Sequence, residues 1–384
     1  MALVGQLESM CSSEEASQRE AERLLDPLEW AKGSEPRRPK VNPSLATKKY
    51  QRSAAGKVYR AQDVRTPEAC LRTMDFLMTR PFHADGEEGD SAFATRPSLA
   101  SVYAYLHDRS RAVRTDLHLQ QPASARTQAF LRCHEYCLRF ELLAMFLLTQ
   151  GYGGRKAAEA EGYSRHLGLQ AISQTIDPLL AAYKSARTSP DNGPDGRLDV
   201  SNEPAIQRFV LLLLLATSPA TLPAHLAELD PAVLLHPPVV VAIDACAAFL
   251  SGDYATFLRF YRQADLLSAV ALADLANLAR LRLLWIISRA YPRSIGDRLK
   301  LPALVKLLAF GDTAHARAFL AFHGLAAEEG PGGWEVLLPA KGSVAEGEHP
   351  LLGLAGMPSQ CDFEGSDDLL VAKFAGFSRD EVVM

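Results

Sequence analysis

The sequence predicts a mainly α-helical protein, in which a solenoid of paired helices is capped by a C-terminal winged helix. Alanine and leucine are abundant and β-branched residues are few, which favours helices. Over residues 203–289, segments of about 10–20 residues alternate with short turns, a pattern typical of antiparallel helices stacked as a solenoid. Residues 302–338 follow the order helix, turn, helix, strand, glycine-rich turn, strand, which is the layout of a winged helix.

Composition limits the function classes further. The chain has 384 residues, enough for two or three domains, and its net charge of −4 creates no overall field that attracts nucleic acid. Its longest apolar run, residues 209–216, is far below the roughly 20 residues of a membrane span. The six cysteines have no framework spacing and the N-terminus has no apolar targeting segment. We therefore expect a soluble protein of a reducing intracellular compartment with no membrane partner.

The chain is expected to divide into four regions. These are an N-terminal arm with a short helix and a basic segment (1–60), a helical solenoid (61–290), a winged helix (291–345) and an acidic, partly ordered tail (346–384). Within the arm, Ser12 or Ser13 is expected to cap a helix over residues 14–25, which ends before Pro27. Residues 36–60 hold eight basic residues and no acid. This segment is either a solvated arm lying over the body or an arm that binds phosphates or acids.

Helix signals follow the arm. Thr66 is expected to be an N-cap with Pro67 at the first helical position. Helices are then predicted over residues 99–120, 127–150 and 164–185. The helix over 99–120 has one apolar face and a second face rich in charge, with Asp108, Arg109, Arg111, Arg114 and Asp116. Such a face is either solvated, with pairs four residues apart, or an arginine clamp for a neighbouring segment or a partner carboxylate.

The predicted winged helix has helices over residues 302–310 and 314–323, followed by a hairpin over 325–338. Its second helix carries His315 and Arg317 together with Phe319 and Phe322, and it is not strongly basic. We therefore predict that this module docks a protein partner rather than reading DNA. The tail, which contains the apolar run 369–374, is expected to pack partly against the module and to be loose elsewhere.

No catalytic chemistry can be built from these residues. Cys133, His134 and Cys137 suggest a metal site, but on a helix His134 points about 100° away from Cys133, and no fourth ligand has a suitable spacing. Asp244 beside Cys246 lies in an apolar helix and is better interpreted as a capped or paired residue. No motif of a hydrolase or metalloprotease is present. We predict no enzyme activity and no catalytic, cofactor or metal site.

Several ordered motifs do point to a known family. The matching segments are Gly5 to Cys11, Lys48 to Ala55, Val64 to Leu77, Asp108 to Gln120, Asn202 to Gln207 and Phe319 to Leu325. The fourth, D-R-S-R-A-V-R-T-D-L-H-L-Q, is similar to the pattern D-R-x-R-A-I-R-x-D-L-x-x-Q. The second is similar to V-K-x-Y-x-R-S-x-A. Together they cover about residues 5–345 and resemble the Sac-three/GANP homology family of messenger-RNA export scaffolds.

The resemblance implies a PCI-like solenoid, which would pair with a second PCI-domain subunit and with a small acidic Sem/DSS-type protein. It also implies an internal clamp that orders the arm on the solenoid. The implied clamp residues are Met10, Cys11, Lys48, Lys49, Tyr50, Arg52, Arg109, Arg111, Arg114 and Asp116. In export complexes of this family, paired winged helices form a basic surface for RNA or DNA. Larger members add a long helix for centrin, and because this chain ends before such a helix, we expect no centrin partner.

The resulting hypothesis is a non-enzymatic scaffold subunit of a messenger-RNA export or RNA-processing complex in the nucleus. RNA contact is expected at Lys48, Lys49, Arg293, Arg298 and Lys300. One alternative is a centrosome- or spindle-associated protein that acts in centrosome duplication and mitotic progression, in the cytoplasm. Another is a subunit of a different PCI assembly, of the signalosome or proteasome-lid kind.

Overall fold

The fold was analysed in a computed structural model, and it is mainly helical, as predicted. The described residues are 3–52, 58–81, 97–151, 159–160, 162–188, 197–290, 297–338, 357–363, 368–375 and 382–383. The chain splits into two compact units. Unit 1 comprises Met1–Leu148, Glu159–Ser201 and Ser378–Met384, and unit 2 comprises Thr149–Ala158 and Asn202–Phe377.

Unit 1 is built from helices whose starts follow local signals. Its helices are α1 (Ser13–Ala21), α2 (Pro67–Thr79), α3 (Leu99–Leu119), α4 (Gln128–Gly151, of which the last three residues belong to unit 2) and α5 (Arg165–Thr188). Thr66 caps α2 by accepting a hydrogen bond from the Ala69 amide at 3.2 Å, with Pro67 at the first helical position. The predicted N-cap and the predicted long helix over 99–120 are therefore both confirmed.

The first helix ends earlier than predicted. Instead of continuing to residue 25, α1 stops at Ala21, because Arg23 adopts a left-handed backbone with φ 58°. The Leu24 amide then donates to the Arg19 carbonyl at 2.8 Å, and the Arg23 amide to the Glu20 carbonyl at 3.2 Å. This pair of bonds is a Schellman motif, which satisfies carbonyls that the end of the helix leaves open. Such motifs usually place glycine where Arg23 stands, so the sequence carried no signal for this end.

The N-terminal arm lies along the start of α2 as an extended segment. Leu7 and Arg65 form a parallel β-bridge, in which the Thr66 amide donates to the Leu7 carbonyl at 3.0 Å. The Gly5 amide donates to Gln120 Oε1 at 2.8 Å, which joins the arm to the end of α3. Later in the arm, the Lys48 amide donates to the Met10 carbonyl at 3.0 Å. The start of the arm is therefore tied to the segment before α2 and to the end of α3, and its later part is tied back to its start.

Gly5→Ala is expected to destabilise this attachment. A Cβ atom at Gly5 would lie 2.6 Å from each of the Val64 and Arg65 carbonyl oxygens and 2.8 Å from Gln120 Oε1. Since two of these contacts are backbone atoms, the arm must shift, and we expect a loss of about 1–3 kcal/mol. Urea unfolding measures it. Gly332→Ala is the control, because its Cβ would meet nothing closer than 3.9 Å; equal midpoints for the two variants would contradict the expectation.

Over residues 203–290, unit 2 is a series of helices joined by short turns, as predicted. Its helices are α6 (Glu203–Thr217), α7 (Leu222–Glu228), α8 (Pro231–Leu234), α9 (Pro237–Ser251), α10 (Tyr254–Gln263) and α11 (Leu266–Ala290). Gly252 ends α9 in a left-handed conformation with φ 83°. Helix α6 packs on α9 and α11, and α10 packs on the same two helices. The core of unit 2 lies between these four helices.

A small mixed module follows the stack, and we call it the C-terminal module. It contains β1 (Asp297–Lys300), α12 (Leu301–Leu307), α13 (Thr313–Phe322), β2 (Ala327–Gly330) and β3 (Gly333–Leu338). The strands form one antiparallel sheet in the order β1-β3-β2. The hairpin and both helices were predicted, although α12 ends at Leu307 rather than at residue 310. Strand β1 was not predicted.

Three pieces of the acidic tail are described, 357–363, 368–375 with helix α14 (Asp368–Phe374), and 382–383. Helix α14 packs on α11, and Lys373 Nζ donates to the Arg262 carbonyl at the end of α10 at 2.8 Å. The ring of Phe363 lies 5.0 Å from that of Phe319 on α13. The apolar run of the tail therefore packs on the helical stack, while the segment before it packs on the C-terminal module.

Candidate functional site

The charged face of α3 is mostly buried, which makes the solvated-face interpretation wrong. Arg109, Arg114 and Asp116 are exposed to only 3%, 6% and 1%. Buried charges need partners, because removing a charge from water costs several kcal/mol unless ion pairs and hydrogen bonds replace the water. The partners come from the arm, from the start of α2 and from α5.

The first cluster, which we call the Glu29 cluster, surrounds a carboxylate that is fully buried. Arg109 donates to it from Nε at 3.4 Å and from Nη2 at 3.2 Å, so the contact is bidentate. Arg19 forms a second, shorter ion pair with the same carboxylate. The Thr47 amide adds a hydrogen bond to Glu29 Oε1 at 3.0 Å. Glu29 therefore connects α1, α3 and the later part of the arm at Thr47.

The ion pair with Glu29 keeps Arg109 charged although its side chain is buried. Burial alone would lower the pKa of Arg109, but the Glu29 carboxylate raises it above the ordinary value for arginine. Arg19 also donates to the Thr47 carbonyl at 3.0 Å and to Cys11 Sγ at 3.3 Å. Burial is the main reason why the pKa of Cys11 rises to about 11. Cys11 is thus a neutral thiol at physiological pH and has little nucleophilic character.

The second cluster, which we call the Asp116 cluster, lies one to two turns further along α3. Asp116 accepts from Arg65 Nε at 2.7 Å and from Lys48 Nζ at 2.6 Å. Arg65 is fully buried, and Lys48 is 16% exposed in its side chain. Gln120 extends the cluster, because its amide nitrogen donates to the Arg65 carbonyl at 2.8 Å. Asp116 therefore connects the arm at Lys48 with the segment that leads into α2.

The remaining residues of the implied clamp lie around these clusters. Arg111 places its guanidinium 4.1 Å from the centre of the Tyr50 ring, a cation–π geometry. Arg114 turns the other way and donates to Thr175 Oγ1 on α5 at 2.8 Å. Met10 is half-buried, whereas Lys49 and Arg52 are exposed. The structure thus brings Lys48, Tyr50, Arg111 and Asp116 to one side of α3, and Arg114 to another.

Sequence reasoning missed three members of the clusters, Glu29, Arg19 and Arg65. Glu29 is separated from Arg109 by 80 residues, and Arg65 from Asp116 by 51. The only signal in the sequence was the density of charged residues. Arg65, for example, stands directly before the N-cap Thr66, where an exposed arginine would also be expected.

The residues predicted to contact RNA lie in both units. Lys48 and Lys49 belong to unit 1. Lys48 Nζ already donates hydrogen bonds to Asp116 and to the Asp63 carbonyl. Arg298 and Lys300 lie on β1 of unit 2 and are exposed, with Arg298 Nη1 at 3.6 Å from Glu328 and 3.7 Å from Glu335. Arg293 lies outside the described residues. Lys48 is thus placed as a structural residue rather than as an exposed cation.

Two arginines attach the C-terminal module to the helices before it. Arg280 on α11 is fully buried, and it donates from Nε to the Leu308 carbonyl at 2.9 Å and from Nη2 to the Ala309 carbonyl at 2.8 Å. Arg262 at the end of α10 donates to the Val305 and Phe310 carbonyls at 3.2 and 3.1 Å. Four carbonyls in and after α12 therefore receive donors from side chains, which is the usual role of basic residues at a helix C-terminus.

The buried cysteines and histidines have the character of core residues. Burial raises the pKa of Cys70 to about 12 and that of Cys137 to about 11. His134 is fully buried, with Nδ1 at 2.8 Å from the Phe130 carbonyl and its ring stacked on Phe130 at 4.1 Å. Within the described ranges, no group of three or more His, Cys, Asp and Glu residues could hold a metal ion. Nor does any helix in those ranges have the length and apolar character to cross a membrane.

His134 is expected to make folding sensitive to acid. Burial lowers its pKa to about 3 in the folded protein, against about 6.5 in the unfolded chain. Between these values the unfolded chain binds the additional proton, so stability falls as pH decreases from 6.5. The loss from pH 7 to pH 5 is expected to be about 2 kcal/mol smaller in His134→Phe than in the wild type. Urea unfolding at both pH values tests this, with the exposed His166→Phe as control; equal losses would contradict it.

Comparison with known proteins finds a family match that covers most of the residues described above. A model of the SAC3/GANP family matches residues 10–329, a span that includes both charge clusters and most of the C-terminal module. A curated relative, SAC3 family protein B of Arabidopsis thaliana, is 26% identical over 276 residues. The aligned part is 70% of this chain and 14% of the relative, so the chain corresponds to a small part of that longer protein.

Proposed function

This chain belongs to the SAC3/GANP family, and from that membership we propose that it is a non-enzymatic scaffold subunit of a nuclear messenger-RNA export or RNA-processing complex. The observation that carries the proposal is the family match, which extends over residues 10–329 and so through both units. In this proposal the helices over residues 61–290 act as a PCI-like solenoid and the C-terminal module acts as its winged helix. The helix order and the β1-β3-β2 sheet support that assignment.

The proposed partners are a second PCI-domain subunit and a small acidic Sem/DSS-type protein. The exposed face of α13 favours a protein partner over DNA, because it carries Ala314, Ala318 and Ala321 and a single cation, Arg317. That cation already stacks on Trp334, with 3.9 Å between the guanidinium carbon and the ring centre. The same face exposes Phe322 at 52%, which gives a protein partner an apolar side chain to cover. The acids Glu328 and Glu329 on the neighbouring strand β2 would repel phosphates.

Affinity purification from nuclear extract after RNA crosslinking tests the proposal. Recovery of a PCI-domain subunit, a small acidic protein and polyadenylated RNA is the expected result. Centrosomal proteins without RNA would support the centrosome alternative instead. A complete proteasome lid or signalosome would overturn both. Gly5→Ala, which acts on the arm, should be compared with the C-terminal module variants described below, so that loss of a partner can be assigned to one unit.

RNA contact is proposed at the exposed cations, Lys49, Arg298 and Lys300. Reversing all three to Glu is expected to weaken binding to a single-stranded RNA and to reduce the slope of log affinity against log salt by about 2, since each lost phosphate contact removes about 0.7. Fluorescence anisotropy at several salt concentrations measures the slope. A control with Lys184, Arg197 and Arg259 reversed has the same net charge. An equal change in both variants would show that only overall charge matters.

A further inference from the structure

Helix α9 presents an outer face that is unusually apolar for an exposed helix. Asp244 is the only charged residue of the whole helix. Successive residues of a helix are about 100° apart, so Pro237, Val240, Val241 and Ala247 lie with Asp244 in one sector of about 120°. All five are exposed, with Val240 at 37% and Val241 at 50%. An exposed helix face is normally charged or polar, so this one is suited to being covered.

A groove continues from this face into unit 2. Its volume is about 300 Å³, and Val241 lines it together with residues of α6, α10 and α11 such as Leu212, Phe260 and Leu272. At its rim, Arg208 Nη1 and Asp265 Oδ2 form an ion pair at 2.9 Å. The volume is in the range that accommodates large apolar side chains. Val241 stands where the outer face of α9 meets the groove, so one ligand can contact both.

The charge of Asp244 limits which kind of partner can cover the outer face of α9. Asp244 lies at the centre of the outer face, and in the part of the chain that the structure describes no Lys or Arg forms an ion pair with it. Covering an unpaired carboxylate with an apolar surface would cost several kcal/mol, so a stable occupant must bring a cation to this point. The outer face runs from Pro237 to Ala247, which is about 16 Å of helix. A helix of similar length matches it.

We propose that the outer face of α9 and its groove bind an amphipathic helix of a partner protein, with one Lys or Arg placed opposite Asp244. Apolar side chains at intervals of three and four residues would pack on Val240, Val241 and Ala247, and one large side chain would enter the groove. A small acidic protein does not suit this face, because its carboxylates would meet Asp244. The inference therefore goes beyond the proposed pairing through the C-terminal module and does not depend on it.

A second copy of the chain is a poor occupant. Two copies that met at the centre of this face, related by a two-fold axis, would place the two Asp244 carboxylates together. Repulsion between like charges in a desolvated contact costs several kcal/mol. The occupant is therefore expected to be a different protein with a basic residue.

Site-specific photocrosslinking in the organism's own cells tests the proposal. Benzoylphenylalanine replaces Val241 in the full chain, and the matched control carries it at Leu250. Leu250 is 58% exposed on the same helix, about 180° away. The expected result is a crosslink from position 241, and not from 250, to a helix that has a Lys or Arg within one turn of the crosslinked residue.

Charge reversal provides the decisive step. Asp244→Lys is expected to reduce the crosslink about tenfold or more, and changing the basic residue of the captured helix to Asp is expected to restore it. Asp244 is exposed, so the variant should melt at the wild-type temperature. The proposal is overturned by a crosslink to this chain itself, by a crosslink to a segment that is not helical, by equal yields from positions 241 and 250, or by a yield that Asp244→Lys leaves unchanged.

Discussion

Glu29→Gln is expected to release the N-terminal arm from unit 1 and to lower the free energy of unfolding by about 3–5 kcal/mol. The substitution keeps the size of the side chain and an oxygen that can accept from the Thr47 amide. It removes the charge, and it puts an NH2 donor in place of the oxygen that accepts from Arg19 and Arg109. Arg19 and Arg109 then remain buried without their shared counter-ion. Arg109 is 3% exposed and Arg19 5%, so water cannot easily replace the lost carboxylate.

Two measurements together distinguish release of the arm from general loss of structure. Urea unfolding gives the loss of stability, and hydrogen exchange locates it. The Thr47 amide, which donates to Glu29 Oε1 at 3.0 Å, is expected to exchange much faster, whereas amides of α9 and α11 in unit 2 keep their protection. Glu35→Gln is the control, because Glu35 is an exposed acid in the same arm. Superimposable urea curves for Glu29→Gln and wild type would rule out a stabilising role for the Glu29 cluster.

The Asp116 cluster accounts for one of the basic residues in the segment 36–60. The segment 36–60 was open to two interpretations, a solvated arm or an arm that binds phosphates or acids. Lys48 binds the buried Asp116 carboxylate, whereas Lys49 and Arg52 remain exposed. The same segment therefore contains one cation that holds the fold together and others that are available for a ligand. Substituting them as a group would mix these two effects.

Local signals were sufficient to predict the starts of helices but not all of their ends or partners. Thr66 with Pro67 identified a helix start, because an N-cap depends on residues within one turn. Strand β1 was missed because its pairing is not local: Asp297 lies opposite Leu338. The charged residues of α3 could be found by their density, yet not the side on which they are covered. That depends on Glu29 and Arg65, which tertiary folding brings to α3 from distant parts of the sequence.

The C-terminal module likewise combines features that local sequence predicts with contacts that depend on residues distant in the sequence. Its hairpin was predicted from glycines between two strand-forming segments. Arg280 and Arg262, which hold the module, lie in helices whose sequences show only ordinary exposed-looking charges. Burial of Arg280 became evident only from the positions of the Leu308 and Ala309 carbonyls, which are 28 and 29 residues away.

Arg280→Met is expected to loosen the C-terminal module from α11 and to cost about 3–5 kcal/mol. Methionine fills much of the volume but donates no hydrogen bond, so the Leu308 and Ala309 carbonyls lose their donors, at about 1–3 kcal/mol each. Ala309 also has a left-handed backbone, with φ 53°, which is unfavourable for a residue with a side chain. The bonds from Arg280 stabilise that conformation. The guanidinium further contacts the ring of Phe310 at 4.4 Å.

Arg280→Lys is expected to be nearly as damaging, which separates the effect of geometry from the effect of charge. An ammonium group is a single point of donation, whereas the guanidinium reaches two carbonyls at once from a planar fork. Hydrogen exchange over α12 and α13 should rise in both variants, together with a lower urea midpoint. Arg259→Met is the matched control, because Arg259 is exposed and donates to Thr256, only three residues away. If Arg280→Lys kept wild-type protection in these helices, charge alone would hold the module, and the two-carbonyl contact would have no role in its attachment.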